Sequence, residues 1–309
     1  MSKEIPLNLP ASIRQKLLNF AHRENIDFQR ILGEYVSERT LWRLQHCGIR
    51  NELVFKGGRL ISIWLGRFRG TRDIDFSAHR VIDESWLRNI FQHIADLKEA
   101  QDGLRFDRES ITIETIRAQN SFQGLRLTMY CYLEQARIPL QVDVGFSPHK
   151  TPGEHIESIQ SVIDRPAAAV PSYSPYAVIG EKLFAIIVHG EYNSRMKDFF
   201  DIVMLSRNMD FSGTDLSAGI KAAFSLEFKD VPTQISIFVE NAEARWKAFL
   251  RKTGAESDLS FTKAKIEIEE FINPCLAAMQ KGLEKRLFWK KHGKWKFIKP
   301  QSEDSTDRS

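Results

Sequence analysis

Cysteine is scarce: Cys47, Cys131 and Cys275 are few, odd in number and far apart, so neither a disulfide framework nor a Cys-based zinc site is expected. A reducing, cytoplasmic compartment suits such a chain. No apolar run approaches the roughly 20 residues that cross a bilayer, so no membrane partner is expected. The opening Met-Ser-Lys-Glu-Ile-Pro lacks the charged-then-apolar layout of a signal peptide. His79, His149, His155 and His189 are scattered without metal-ligand spacing. Neither a Gly-x-Ser-x-Gly nor a Cys–His pattern suggests a hydrolase. What remains is ordinary globular material, 42% hydrophobic and 27% charged over 309 residues, enough for one large domain or two ordinary ones.

The formal charge of +4 is unevenly placed. Eight Lys or Arg (281, 285, 286, 290, 291, 294, 296, 299) crowd into residues 281–299 against one acid, Glu284. The rest of the chain holds 36 basic and 39 acidic residues, a net of −3. Phe288, Trp289, Trp295 and Phe297 are interleaved with these cations. Cations mixed with stacking surfaces suit a nucleic acid; a solvated helix face with its aromatics packed on the domain has the same composition.

Apolar spacing predicts helices over the first fifty residues, on Ile13, Leu17 and Leu18 and then on Ile31, Leu32, Tyr35 and Val36. A short strand at Leu53-Val54-Phe55 stops at Gly57-Gly58, and a short helix at 60–65 ends in a loop carrying Arg67, Arg69 and Arg72. Alternation in Asp73-Ile74-Asp75-Phe76-Ser77 predicts a half-buried strand, and Asp83 is placed to cap a helix over about 83–97. Strands are expected at 110–116, 125–133 and 138–146. The proline-rich stretch 147–174 is expected to be a long loop between domains. Everything beyond it reads as helix, at about 175–189, 195–207, 215–224, 240–252 and 262–281. The tail 301–309 is polar and expected to be disordered. The fold class is therefore α+β: a core of mixed sheet and flanking helices over 1–172, followed by a helical domain over 173–309 that ends in the basic segment.

Candidate chemistry centres on Asp73 and Asp75. Two apart on a strand, they point to the same side while Ile74 and Phe76 face a core. Like charges held so close repel unless a cation reconciles them, and carboxylates without His or Cys favour magnesium over zinc. Gly57 and Gly58 would let backbone N–H groups approach a phosphate at the start of the following helix. A lone Asp-x-Asp is commonly a surface strand; the paired glycines upstream are what make this one a site. Asp143, in Gln141-Val142-Asp143-Val144-Gly145, supplies a third carboxylate amid β-branched residues, the alternative being an edge-strand acid facing water.

Phe55-Lys56-Gly57-Gly58 followed by Arg72-Asp73-Ile74-Asp75-Phe76 resembles the first motif of the AbiEii/AbiGii-type nucleotidyltransferases. These are the toxins of type IV toxin–antitoxin and abortive-infection (phage-defence) systems, within the DNA polymerase β-like superfamily. Lys182, in Gly180-Glu181-Lys182-Leu183, and Arg195-Met196-Lys197-Asp198-Phe199-Phe200-Asp201 continue the resemblance, which spans about residues 55–201. Many superfamily members have Gly-Ser where this chain has Gly57-Gly58.

The resemblance implies a polymerase β-like core that transfers a nucleoside monophosphate from an NTP such as ATP, releasing pyrophosphate. It implies an RNA acceptor, notably the 3′ end of tRNA, so that translation is blocked, and a cognate antitoxin. Asp73, Asp75 and Asp143 would hold Mg²⁺ and, with Lys182, carry catalysis; Gly57, Gly58, Lys182, Asp198 and Asp201 would bind the nucleotide. Lys182 has another reading, a lysine on an apolar helix reaching solvent, and on either reading Lys182→Met should leave folding nearly unaffected. Asp198 and Asp201 share a helix face and could anchor Lys182 or Lys197 or bind the nucleotide; Arg195–Asp198 could equally be a surface ion pair. Nucleotide transfer to a protein hydroxyl and a non-catalytic nucleic-acid-binding protein are the alternative functions.

Overall fold

A computed structural model gives the fold and describes residues 8–48, 52–66, 71, 73–97, 100–117, 123–226, 229–254 and 258–298. Arg67, Arg69, Arg72, Lys299 and the 301–309 tail lie outside the described residues. The chain divides into two compact units at Ser174/Pro175.

In the first unit, helices α1 (Leu9–Glu24) and α2 (Phe28–His46) precede a seven-stranded mixed sheet. Asn8 and Asp27 cap these helices with side-chain oxygens on Ala11 N and Arg30 N. Strand β1 (Leu53–Lys56) runs directly into α3 (Gly57–Leu65), and β2 (Ile74–Ala78) leads to α4 (Glu84–Asp96), capped by Asp83 as expected. Three long strands follow, β3 (Arg105–Arg117), β4 (Gln123–Leu133) and β5 (Ala136–Phe146), and then β6 (His155–Ile159) and β7 (Ala168–Ser172). The sheet order is β3-β4-β5-β2-β1-β7-β6. Strands β2 and β5 run parallel, as do β1 and β7; the other neighbours are antiparallel.

The expected loop at 147–174 therefore contains two strands. Its prolines misled because Pro171 can be accommodated in β7. Tyr173 N–H donates to Phe55 O, and Pro171, two residues earlier, would aim an N–H to that same side. There β1 and β7 share only one registered pair, Phe55↔Ser172, so no ladder bond is lost.

Helix α2 lies against β5 and β7 and is buried along almost its whole length, Glu34, Glu38, Arg39 and Arg43 included. Burial of Arg43 and Glu38 is tolerable because both are hydrogen-bonded. Arg43 makes two hydrogen bonds to the Asp102 carboxylate at 2.9 and 2.8 Å, and Glu38 accepts from Val162 N and Ser161 Oγ.

The second unit comprises α5 (Pro175–His189), α6 (Met196–Asn208), α7 (Gly213–Ser225), α8 (Ala242–Thr253) and α9 (Phe261–Lys281). Helices α5 and α7 press backbone to backbone: a Cβ on Gly180 would lie 2.7 Å from Gly219 C, and one on Gly219 would lie 2.6 Å from Tyr176 C. This half is not wholly helical. Strands β8 (Phe211–Ser212), β9 (Leu287–Trp289) and β10 (Trp295–Phe297) form a small antiparallel sheet, so the basic segment is largely a hairpin and not a helix.

Candidate active site

Strand register assembles the polar residues of the first unit into a line. Glu114 on β3 is the direct partner of Arg126 on β4, and Arg126 of Asp143 on β5. Asp143 is opposite Asp75 on β2, and Asp75 is opposite Lys56 on β1. Directly paired residues share a sheet face, so five strands present Glu114–Arg126–Asp143–Asp75–Lys56 as one charged row. One residue along each strand, Leu125, Val144, Phe76 and Phe55 pair in the same way and are buried. A one-residue slip would exchange the two rows, so the apolar core fixes the charged line.

The two central members, Asp143 and Asp75, are like-charged neighbours. Asp143 is not at an edge; it lies on a strand enclosed by β4 and β2. Its carboxylate is gripped from the β4 side: Arg126 Nε donates to Oδ1 and Nη2 to Oδ2, both at 2.8 Å, and Gln141 Nε2 approaches Oδ1 at 3.3 Å. These hydrogen bonds raise the Arg126 pKa further above its ordinary value, helped by the charges of Asp143, Asp73 and Glu114. Asp73 therefore acts on the same guanidinium, which ties all three predicted carboxylates to one locality.

Gly57 and Gly58 open α3 immediately beside Asp75. Gly57 has φ +78°, a conformation that L side chains rarely adopt, and a Cβ there would lie 2.6 Å from Asp75 Cγ. The glycine makes room for the carboxylate as well as for the turn. Lys56, the residue that caps α3, provides no side-chain hydrogen bond to the amides of the first turn. Helix α3 is fixed at both ends: Arg59 Nη2 donates to Gly33 O at 3.2 Å and Trp64 Nε1 to Glu157 Oε2 at 2.7 Å. Its N-terminal dipole is thereby held against the acidic pair.

An all-oxygen donor set beside a cradle kept clear by glycine suits a hard divalent cation. Among the described residues no three His, Cys, Asp or Glu side chains form a ready metal cage. The carboxylate that would complete one, Asp143, has both oxygens turned to Arg126.

A second charged cluster lies within the second unit. Lys182 Nζ is 3.0 Å from Asp198 Oδ1 and 2.6 Å from Asp201 Oδ2, and Arg195 Nε is 2.6 Å from Asp198 Oδ2. Both acids are buried, at 1% and 0% exposure, so this is a buried network and not a surface ion pair. Burial alone would push the Asp198 carboxyl up, but Lys182 and Arg195 outweigh it and hold the group at about 2. Lys182 does not simply reach solvent.

In the basic segment the tryptophans face inward. Trp289 Nε1 donates to Ser206 O and Trp295 Nε1 to Phe271 O, and both rings pack on Phe271. Lys285, Arg286, Lys290, Lys291, Lys294 and Lys296 remain exposed.

Sequence reasoning missed Arg126, Lys56 and Glu114 as members of the charged line. With Leu133 paired to Ala136 across Glu134-Gln135, counting back places Arg126 opposite Asp143, but neither turn residue is one that marks a hairpin, and Glu114 and Lys56 depend on the registers of other strand pairs.

A family model described as the nucleotidyl transferase AbiEii toxin of type IV toxin–antitoxin systems matches residues 39–271. Among curated proteins none matches. Two solved structures from Helicobacter pylori resemble the chain at 14% identity. One is JHP933, with a TM-score of 0.45, covering 82% of this chain and 94% of its own. The other, whose assignment as a nucleotidyltransferase is provisional, has a TM-score of 0.43 and covers 82% and 97%.

Proposed function

This chain belongs to the AbiEii nucleotidyl transferase toxin family of type IV toxin–antitoxin systems, and from that membership we propose that it is a cytoplasmic enzyme that transfers a nucleoside monophosphate from an NTP to RNA. The acceptor is the 3′ hydroxyl of tRNA, and the cellular consequence is a block of translation that a cognate antitoxin relieves. The observation that carries the chemistry is the pairing of Asp75 with Asp143 beside the Gly57 cradle.

Asp73, Asp75 and Asp143 would hold Mg²⁺. Bound there, the cation would neutralise triphosphate charge and lower the pKa of the attacking hydroxyl. Gly57 and Gly58 would present the first-turn amides of α3 to a phosphate. Lys56, at the end of the charged line, adds a positive charge on the same face. In the reaction the hydroxyl gives up its proton to solvent, its oxygen bonds to the α-phosphorus, the bond from that phosphorus to the bridging oxygen of the β-phosphate breaks, and pyrophosphate leaves. Catalysis of this kind rests on position and charge. Lys182, Asp198 and Asp201 are assigned to nucleotide binding; the pairing of Lys182 with both acids supports a cluster built as a unit.

Incubating the protein with each α-labelled NTP and either total RNA or total protein tests the proposal. Label in RNA is expected. Label confined to protein would transfer the assignment to a protein hydroxyl, and label in neither would leave only binding.

A further inference from the structure

We infer that Arg126 is a resident counter-cation for Asp143 which a divalent cation must displace, and that Glu114 receives the displaced guanidinium. The inference rests on the proposed assignment of Asp73, Asp75 and Asp143 as the metal site.

Arg126 hydrogen-bonds to both oxygens of Asp143, the arrangement a planar guanidinium makes best, and a metal ion approaching that carboxylate has to compete with it. Its charge is also felt by Asp73. In the absence of metal, Arg126 therefore offsets the repulsion among the acids and stops Asp143 from turning towards Asp75. A divalent ion seated among these carboxylates would repel a guanidinium held this close.

The register supplies somewhere for it to go. Glu114 flanks Arg126 on the side away from Asp143, in the same cross-strand row, with its Oε1 3.9 Å from Arg126 Nη1. Arg126 is 34% exposed and Glu114 67%, so a rotation of the guanidinium from one neighbour to the other meets little packing. Divalent binding and the bidentate Arg126–Asp143 pair are mutually exclusive states of the site. The protein alone consequently binds metal more weakly than three carboxylates would without Arg126.

Mn²⁺ binding to the full-length protein, followed by electron paramagnetic resonance of free Mn²⁺ without nucleotide, tests this. Arg126→Gln should bind Mn²⁺ about tenfold tighter than the parent, since a charge-assisted competitor is gone. In EDTA the same variant should melt earlier than the parent, because the acids lose their counter-cation, and added Mn²⁺ should recover most of the difference. Glu114→Gln should weaken Mn²⁺ binding in the parent and have little effect in the Arg126→Gln background. An equal effect in both backgrounds would remove Glu114 from the proposal. If Arg126→Gln does not fold, Arg126→Lys, which keeps the charge and loses the fork, should show a smaller gain in affinity. A folded Arg126 variant with unchanged or weaker Mn²⁺ affinity overturns the inference. Asp143→Asn separates the two levels. Lost binding there with no gain in Arg126→Gln refutes only the role of Arg126. Unchanged binding in Asp143→Asn refutes the metal site itself.

Discussion

Gly57 makes room for the carboxylate of Asp75: a methyl group on its backbone would come within 2.6 Å of Asp75 Cγ and 2.7 Å of its Cβ. The glycine also holds φ at +78°. Gly57→Ala therefore meets two penalties, one of backbone and one of displacement. Gly66, which ends α3 at φ +72° with nothing within 4 Å of its missing Cβ, meets only the first. Each backbone penalty is about 1–2 kcal/mol. Both variants should lose stability in thermal melts, Gly57→Ala the more of the two. Only Gly57→Ala should lose turnover as well, by about 100-fold or more, as expected when a charged group is moved by about 1 Å. Equal turnover in the two would show that the Gly57–Asp75 fit has no catalytic meaning.

The pairing of Lys182 with Asp198 and Asp201 reverses an expectation drawn from the helix alone. Met at 182 keeps the apolar stem but leaves two buried carboxylates without their shared cation. Lys182→Met should lower stability by about 3–5 kcal/mol. Adding Asp201→Asn should recover part of that loss. Denaturant melts of the single and double variants decide it; a Lys182→Met protein as stable as the parent would contradict the network.

Asp198 gives the network a pH signature. Its folded carboxyl sits at about 2, below the ordinary carboxylate value of 3.8, so its ionised form is favoured by folding. That contribution, about 2 kcal/mol, is present above pH 4 and is lost as the pH falls towards 2. Asp198→Asn should lack it. The stability gap between parent and variant should narrow across that window; a gap independent of pH would place the stabilisation elsewhere.

The hairpin of β9 and β10 separates its charges from its tryptophans. Lys291, Lys294 and Lys296 are exposed, while Trp289 is 7% exposed in the aromatic core. If the hairpin contacts acceptor RNA, reversing those three lysines to Glu should weaken RNA binding and flatten its dependence on salt. Trp289→Ala should instead destabilise the fold by about 3–5 kcal/mol. RNA affinity and salt slope that survive the charge reversal would make the hairpin a solvated face.

Much of this was legible in the sequence, and the omissions have physical reasons. Helical periodicity located α5 to its terminal residues, and alternation found β2, β4 and β5 because one face of each is apolar. Strand β7 was hidden by Pro171, which the sheet accommodates where a ladder bond is absent, and β6, which holds no proline, by the prolines in the stretch around it. Strands β8 to β10 have two or three residues each, too short for any period to register. The same-side reading of Asp73 and Asp75 assumed a strand that includes Asp73, whereas β2 begins at Ile74; Arg126 and Glu114 needed the register of three strands. That register turns on Glu134, which takes a positive φ of 52° where Gly or Asn is the usual occupant, so the turn carried no signal. The burial of Asp198 and Asp201 followed from tertiary packing, which spacing along one helix cannot convey.

Asp75 is where the strand register, the Gly57 cradle and the family assignment meet, and Asp75→Asn is the most direct test of the account. The amide is nearly isosteric and should relieve repulsion with Asp143, so the variant should melt no earlier than the parent in EDTA. Transfer of α-labelled nucleotide to RNA by the purified variant should be abolished. A folded Asp75→Asn protein that retains transfer within tenfold of the parent would contradict the assignment of this line of carboxylates as the active site.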